Sequence, residues 1–212
     1  MSRILAAGDP DSLAAAAAAA GRGELIVVPT DTVYGIAARL DRPAALRAVF
    51  EAKARPPGLA LPVLVAGLDD AAILGVIDGR AAALAGAFWP GPLTVVVPRS
   101  PASPARTAGI GGDGTTVGIR MPAHPTLLRL LADTGPLATT SANRSGQPTP
   151  RSVEEIEEVF GNAVAVYLDG GPATGGPPST VVGLAGPSPS PGPILLRAGA
   201  VPFAEVIRIL GG

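Results

Sequence analysis

The chain has 212 residues, a formal net charge of −1, no cysteine and one histidine, His124. That composition excludes disulfides, thiolate nucleophiles, cysteine-ligated zinc and any histidine-rich metal cluster. A near-neutral balance offers no global field for nucleic acid or anionic membranes, so any such role must rest on a local patch.

Asp11 and Ser12 can cap an Ala-rich helix that ends near Gly21-Arg22-Gly23. Its apolar run, Leu13 to Ala20, is too short for a membrane span and lacks the basic start of a secretion signal, which predicts no membrane association and a cytoplasmic chain. Leu25 to Val28 predicts a buried strand stopped by Pro29. Pro43 suits the first position of a helix running to about Ala54. Strands are then expected at Leu61–Val65 and Leu93–Val97, with a helix at Asp78–Phe88 between them. Residues 100–114, rich in Pro, Gly and Ser, read as a mobile loop. Beyond it come a strand at Val117–Arg120, a helix at Pro125–Asp133 and a strand at Leu137–Thr140. A helix starts at Arg151-Ser152, with four glutamates near its N-terminal half where the macrodipole favours them. Strands at Val164–Leu168 and Thr180–Leu184, a Pro/Ser/Gly linker over Ala185–Pro193, a strand at Ile194–Leu196 and a helix at Pro202–Leu210 complete the chain.

The expectation is one domain over residues 1–212 of α/β class, built on a twisted open mixed sheet flanked by helices. Aromatics make up 3% of the residues, so the core must be assembled from Ala, Val, Leu and Ile.

Four segments set polar residues beside strand ends and glycines, where α/β proteins hold ligands. Pro29-Thr30-Asp31-Thr32-Val33-Tyr34-Gly35 follows a strand, although Thr30 and Asp31 equally suit a turn capped by its own side chains. Lys53-Ala54-Arg55 ends a helix. Cations there can complement the dipole or clamp a phosphate. Every basic residue except Lys53 is arginine, which singles out that ammonium. Ser141-Ala142-Asn143-Arg144-Ser145-Gly146 offers hydroxyls and close backbone approach after a strand, or simply a polar turn. Asp169-Gly170-Gly171-Pro172 precedes Ser179-Thr180 and Arg197. Walker A and dinucleotide glycine patterns are absent. His124 reads as a structural residue at a helix start rather than a base.

Together these segments resemble the threonylcarbamoyl-AMP synthase family, the YrdC-like domain. The likeness runs from about Leu25 to Ala200 in the family's order. Besides the four segments it includes Phe88-Trp-Pro-Gly-Pro-Leu-Thr94, Thr116-Val-Gly-Ile-Arg-Met-Pro122 and Leu196-Arg-Ala-Gly199. The resemblance implies a concave basic site in which L-threonine, bicarbonate (or CO2) and ATP become threonylcarbamoyl-AMP, with Mg2+ on the pyrophosphate. Partner proteins would pass the threonylcarbamoyl group to a tRNA adenosine, and weak direct tRNA or RNA binding is compatible with it.

Carried over residue by residue, the threonine pocket falls on Thr32, Arg120 and Ser179. Nucleotide contacts fall on Arg55, Thr116, Thr139, Ser141, Thr149 and Arg197, with Lys53 and Arg55 as the catalytic cations and no protein metal site. The chain departs from the family at Leu59-Ala60-Leu61, and at Leu64, where a histidine is common. Two rival readings accompany it. One is a carbamoyltransferase forming carbamoyl-adenylate on the same domain; the other is an RNA-binding module that does no chemistry.

Overall fold

The computed structural model describes residues 2–102, 104–184 and 192–211. The linker expected at Ala185–Pro193 lies outside them up to residue 191.

Among the described residues ten strands form one mixed sheet: β1 (Arg3–Ala6), β2 (Leu25–Val28), β3 (Gly35–Arg39), β4 (Val63–Leu64), β5 (Leu93–Pro98), β6 (Thr116–Arg120), β7 (Leu137–Ser141), β8 (Val164–Asp169), β9 (Thr180–Gly183) and β10 (Ile194–Arg197). Their order across the sheet is β1-β8-β2-β3-β7-β4-β6-β5-β9-β10. The pairs β1–β8, β2–β8, β4–β6 and β5–β9 are parallel, and the remaining pairs are antiparallel. The helices of the described residues that flank it are α1 (Pro10–Gly21), α2 (Pro43–Lys53), α3 (Leu68–Leu74), α4 (Gly79–Phe88), α5 (Pro125–Thr134), α6 (Val153–Phe160) and α7 (Phe203–Leu210).

The two faces are covered unequally, and the strand period of two makes this visible. On β2, Leu25 and Val27 face one core cluster while Ile26 and Val28 face the other. The first cluster lies under α2, α3, α4, α6 and α7 and draws on every central strand, including Val95, Val117, Ile119 and Val182. The second is supplied by α1 and α5 and contains nothing from β5, β6, β9 or β10. Half of one sheet face is therefore free of helix. Alternation places Thr94, Thr116, Gly118, Arg120, Thr139 and Ser179 there, with Val96 and Val181 among them.

Sequence expectation missed β1, β3 and α3. β3 reads Gly-Ile-Ala-Ala-Arg and carries little β propensity; pairing on both sides, to β2 and β7, makes it a strand. The expected Leu61–Val65 strand shortens to β4, with Leu61 donating instead to the Ile110 carbonyl at 2.7 Å.

Segment 100–114 also differs from the mobile loop expected of it. Ile110 is fully buried, and Arg99 ties the segment down by donating to the carbonyls of Thr107 at 2.7 Å and Gly111 at 2.9 Å. Composition reports local stiffness, whereas one buried isoleucine and one forked guanidinium decide whether a segment is anchored.

A strap, residues 170–179, runs from the end of β8 to the start of β9. Those strands stand second and ninth in the sheet, so a flat sheet would separate them by on the order of 34 Å at about 4.8 Å per step. A strap of this length, fully extended, reaches only slightly farther, roughly 36 Å. It is not extended, because Gly171 and Gly175 adopt φ of 82° and 72°. The sheet must therefore curl, with the uncovered half-face on the inside of the curl and the strap across it.

Candidate active site

The inside of that curl is a cleft of about 420 Å3. Its floor comes from Gly35, Leu64, Thr94, Arg120, Thr139 and Ser179, and Ala173, Gly175, Gly176 and Pro178 of the strap form one wall. Gly35 is required where β3 meets β7, since a Cβ there would stand 2.6 Å from Thr139 Cγ2.

Eight of the residues assigned through the resemblance line this cleft: Thr32, Arg55, Arg120, Thr139, Ser141, Thr149, Ser179 and Arg197. They come from separate parts of the chain, so only the fold gathers them. Thr116 and Lys53 do not line it. Thr116 sits at the opposite end of β6 from Arg120, on the same face by alternation.

Lys53 is 1% exposed, and its ammonium donates to the backbone carbonyls of Ser141 and Asn143 and reaches Asn143 Oδ1 at 3.5 Å. All three N–H groups are spent on protein acceptors. Burial and the nearby Arg55 charge lower its pKa to about 8, so it remains an ammonium at neutral pH. Its geometry is that of a strut fixing the turn after β7 rather than a free phosphate clamp. Ser141 Oγ donates to Asn143 Oδ1 at 2.6 Å, and Asn143 donates onward to the carbonyls of Arg144 and Gln147.

The Thr30–Gly35 turn resolves into two jobs. Thr30 Oγ1 accepts from the Thr32 and Val33 amides and donates to the Val33 carbonyl, which shapes the turn. Asp31 and Thr32 hold Arg120. Arg120 Nη2 meets Asp31 Oδ1 at 2.6 Å, Nη1 donates to Thr32 Oγ1 at 3.1 Å and Nε donates to the Gly91 carbonyl at 3.0 Å. A guanidinium has five N–H groups, so one on each terminal nitrogen remains, a ready fork for a carboxylate. Among the described residues this is the only ion pair with both side chains largely buried.

Around it the cleft is cationic. Arg55 donates Nε and Nη2 to the carbonyls of Leu59 and Ala60, so those departing residues contribute main chain. Arg197 donates to the Ser179 carbonyl at 2.8 Å and to Ser179 Oγ at 2.9 Å, and Ser179 Oγ in turn lies 3.0 Å from Thr94 Oγ1. Burial lowers the pKa of Arg55, Arg120 and Arg197, and the charge of Arg197 lowers Arg55 and Arg120 further; for Arg120 the charge of Asp31 opposes both effects. Arginines stay charged through such shifts. With Arg151 they make four guanidiniums in a lining that contains no carboxylate.

His124 caps α5, its Nδ1 accepting from the Leu127 amide at 3.4 Å. It serves a structural end, as expected. Asp31, Thr94, Asn143 and Arg151 were not assigned from sequence. Thr94 has a signal, a polar residue between Leu93 and Val95 in an apolar strand; Arg151 has none, since it reads as part of a helix start.

The Sua5/YciO/YrdC family profile, described as "Telomere recombination", matches residues 18–199. A Mycobacterium leprae (strain TN) protein is 38% identical over 217 residues, covering 100% of this chain and 95% of its own length. The threonylcarbamoyl-AMP synthase of Pyrococcus abyssi (strain GE5 / Orsay) is 39% identical over 191 residues, 89% of this chain and 54% of its own. A crystal structure of P. abyssi Sua5 complexed with L-threonine superposes with a TM-score of 0.82 at 37% identity, over 94% of this chain and 58% of that one.

Proposed function

The chain belongs to the Sua5/YciO/YrdC family, and from that premise we propose that it is an enzyme, a threonylcarbamoyl-AMP synthase, acting as a nucleotidyltransferase on L-threonine, bicarbonate and ATP. The observation that carries this reading is the cleft itself: four guanidiniums and a row of hydroxyls with no lining carboxylate, built for an anionic substrate larger than an amino acid.

In this reading Arg120 takes the threonine carboxylate on its two remaining N–H groups, with the Thr32 and Ser179 hydroxyls beside it. Bicarbonate loses water to give CO2 on taking up the proton shed by the threonine ammonium. The free amine adds to the CO2 carbon, and the nitrogen of the adduct releases a second proton to solvent to give a carbamate. A carbamate oxygen attacks the α-phosphorus of ATP. The bond from that phosphorus to the bridging oxygen breaks, and pyrophosphate leaves with the electron pair. Arg55 and Arg197 offset the charge moving onto the leaving group, while Thr139, Ser141 and Thr149 hold the nucleotide. Lys53 acts as a positioning residue through Ser141, and Thr116 keeps its nucleotide assignment through the family resemblance alone. No covalent nucleophile is needed, so most of the rate comes from placement and preorganised charge.

Mg2+ enters as part of the ATP substrate. Phosphate oxygens and water would supply its ligands, as is common for Mg2+ bound with a nucleotide. No helix among the described residues is long and apolar enough to cross a membrane. We place the reaction in the cytoplasm, where transfer proteins would consume the adenylate. Any contact with tRNA would be weak.

The test is pyrophosphate release from ATP, Mg2+ and bicarbonate, with and without L-threonine, in wild type and Arg120→Ala. Release that needs threonine and bicarbonate together, and collapses in the variant, is the expected result. Release driven by carbamoyl phosphate instead would transfer the assignment to carbamoyl-adenylate formation. No release under either condition would leave a binding module.

A further inference from the structure

Arg151 is the one guanidinium of the cleft with no hydrogen-bond or ion-pair acceptor for its side chain among the described residues. Arg55, Arg120 and Arg197 each spend donors on protein groups. The backbone of Arg151 is fixed on both sides, its N–H donating to Glu155 Oε2 at 2.8 Å and its carbonyl accepting from the Ala173 amide at 2.8 Å. The side chain lines the cleft, its guanidinium beside Gly175 of the strap.

The strap makes room for it. An added Cβ at Gly175 would stand 2.6 Å from Arg151 Nη2 and 2.8 Å from Cζ, and the φ of 72° there disfavours any other residue. A glycine in this position leaves room for the guanidinium against the strap, in the cleft that both residues line.

We propose that Arg151 is a specificity-determining residue that reads the polyphosphate arm of the nucleotide, and that Gly175 is the residue that admits it. This rests on the synthase reading and deepens it. Arg55, half-buried, and Arg197, exposed, lie close enough for their charges to interact. Arg151 is exposed at the mouth, where the phosphates farthest from the sugar would emerge. A triphosphate or free pyrophosphate reaches it, whereas a monophosphate does not. The same contact stabilises the pyrophosphate leaving group and helps the cleft tell ATP from AMP.

The experiment measures binding of ATP, inorganic pyrophosphate, AMP and L-threonine by titration calorimetry with Mg2+ present. It uses the full chain as wild type, Arg151→Ala, Arg151→Lys, Gly175→Ala and the double variant. Loss of one charge-assisted phosphate contact corresponds to about a tenfold weakening. Arg151→Ala is expected to weaken ATP and pyrophosphate by about that factor and leave AMP and threonine within about twofold, with Arg151→Lys intermediate. Gly175→Ala should reproduce the pattern, and the double variant should add nothing to Arg151→Ala. Equal losses for AMP and ATP, no loss at all, or additive losses in the double variant would overturn the proposal, because Arg151 would then serve only to pack the strap. Wild type that binds neither ATP nor pyrophosphate would overturn the synthase reading along with it.

Discussion

At the scale of single residues, the site is a set of guanidinium donors held by protein acceptors, of which Thr32 and Ser179 line the cleft themselves. Arg120 is useful because Asp31, Thr32 and Gly91 consume three of its five N–H groups and leave a fork. Arg120→Lys should raise the KM for threonine at least about tenfold, since an ammonium cannot offer that geometry. Asp31→Asn keeps the shape and removes the charge, and about a threefold to tenfold rise is expected, with the KM for ATP little changed. Steady-state kinetics with each substrate varied in turn checks both. Lys53→Met strands the carbonyls of Ser141 and Asn143, so urea denaturation should report a loss of about 1–3 kcal/mol, together with a fall in turnover as Ser141 drifts. His124 titrates in the opposite sense to a salt-bridged histidine. Burial lowers its pKa below the usual value near 6.5, against the pull of Asp31, and its cap requires an unprotonated Nδ1. An unfolded chain accepts the proton that the folded state resists. Its contribution is therefore complete above about pH 6.5 and is lost as pH falls through the lower folded value. Melting temperatures between pH 7.5 and 5 should decline in wild type, and less steeply in His124→Asn, which caps without titrating.

At the scale of elements, the composition of α1 has a packing reason. Ala16, Ala19 and Ala20 are fully buried where the helix lies against β8 and α5, and only small side chains allow that approach. Ala19→Leu would overpack the contact and cost about 1–3 kcal/mol, seen as a lower melting temperature. The strap is held at its start by Tyr34, whose hydroxyl accepts from the Gly170 amide at 3.0 Å and donates to the Gly171 carbonyl at 2.6 Å. Tyr34→Phe should loosen that wall, lower the melting temperature by a few degrees and raise both substrate KM values severalfold. Elements with a strong local signal, α1, β2, α4 and β5, were legible in the sequence within a residue or two. β1, β3 and α3 were not, because β3 carries glycine and alanine and is made a strand by its neighbours, while β1 and α3 are too short to display a period.

At the scale of the whole molecule, a net charge of −1 coexists with four arginines in one cleft. The cationic potential is local, so ATP affinity should fall as salt rises from about 50 to 200 mM while threonine affinity changes less. Retention of tRNA at physiological salt should be weak. Titration at several salt concentrations checks the first statement and filter retention the second. The sequence by itself determined the α/β class, the mixed sheet, the exclusion of thiol and histidine-cluster chemistry, and the motifs that carry the family resemblance. These rest on local patterns, strand alternation, caps and residue type, which need no partner across the chain. Tertiary structure alone decided which half-face stays uncovered, that Lys53 spends its donors on the turn after β7, that Asp31 orients Arg120, and that Arg151 enters the cleft beside Gly175. Each of these depends on contacts between residues about 20 to 90 positions apart. Only the folded chain brings such residues into contact.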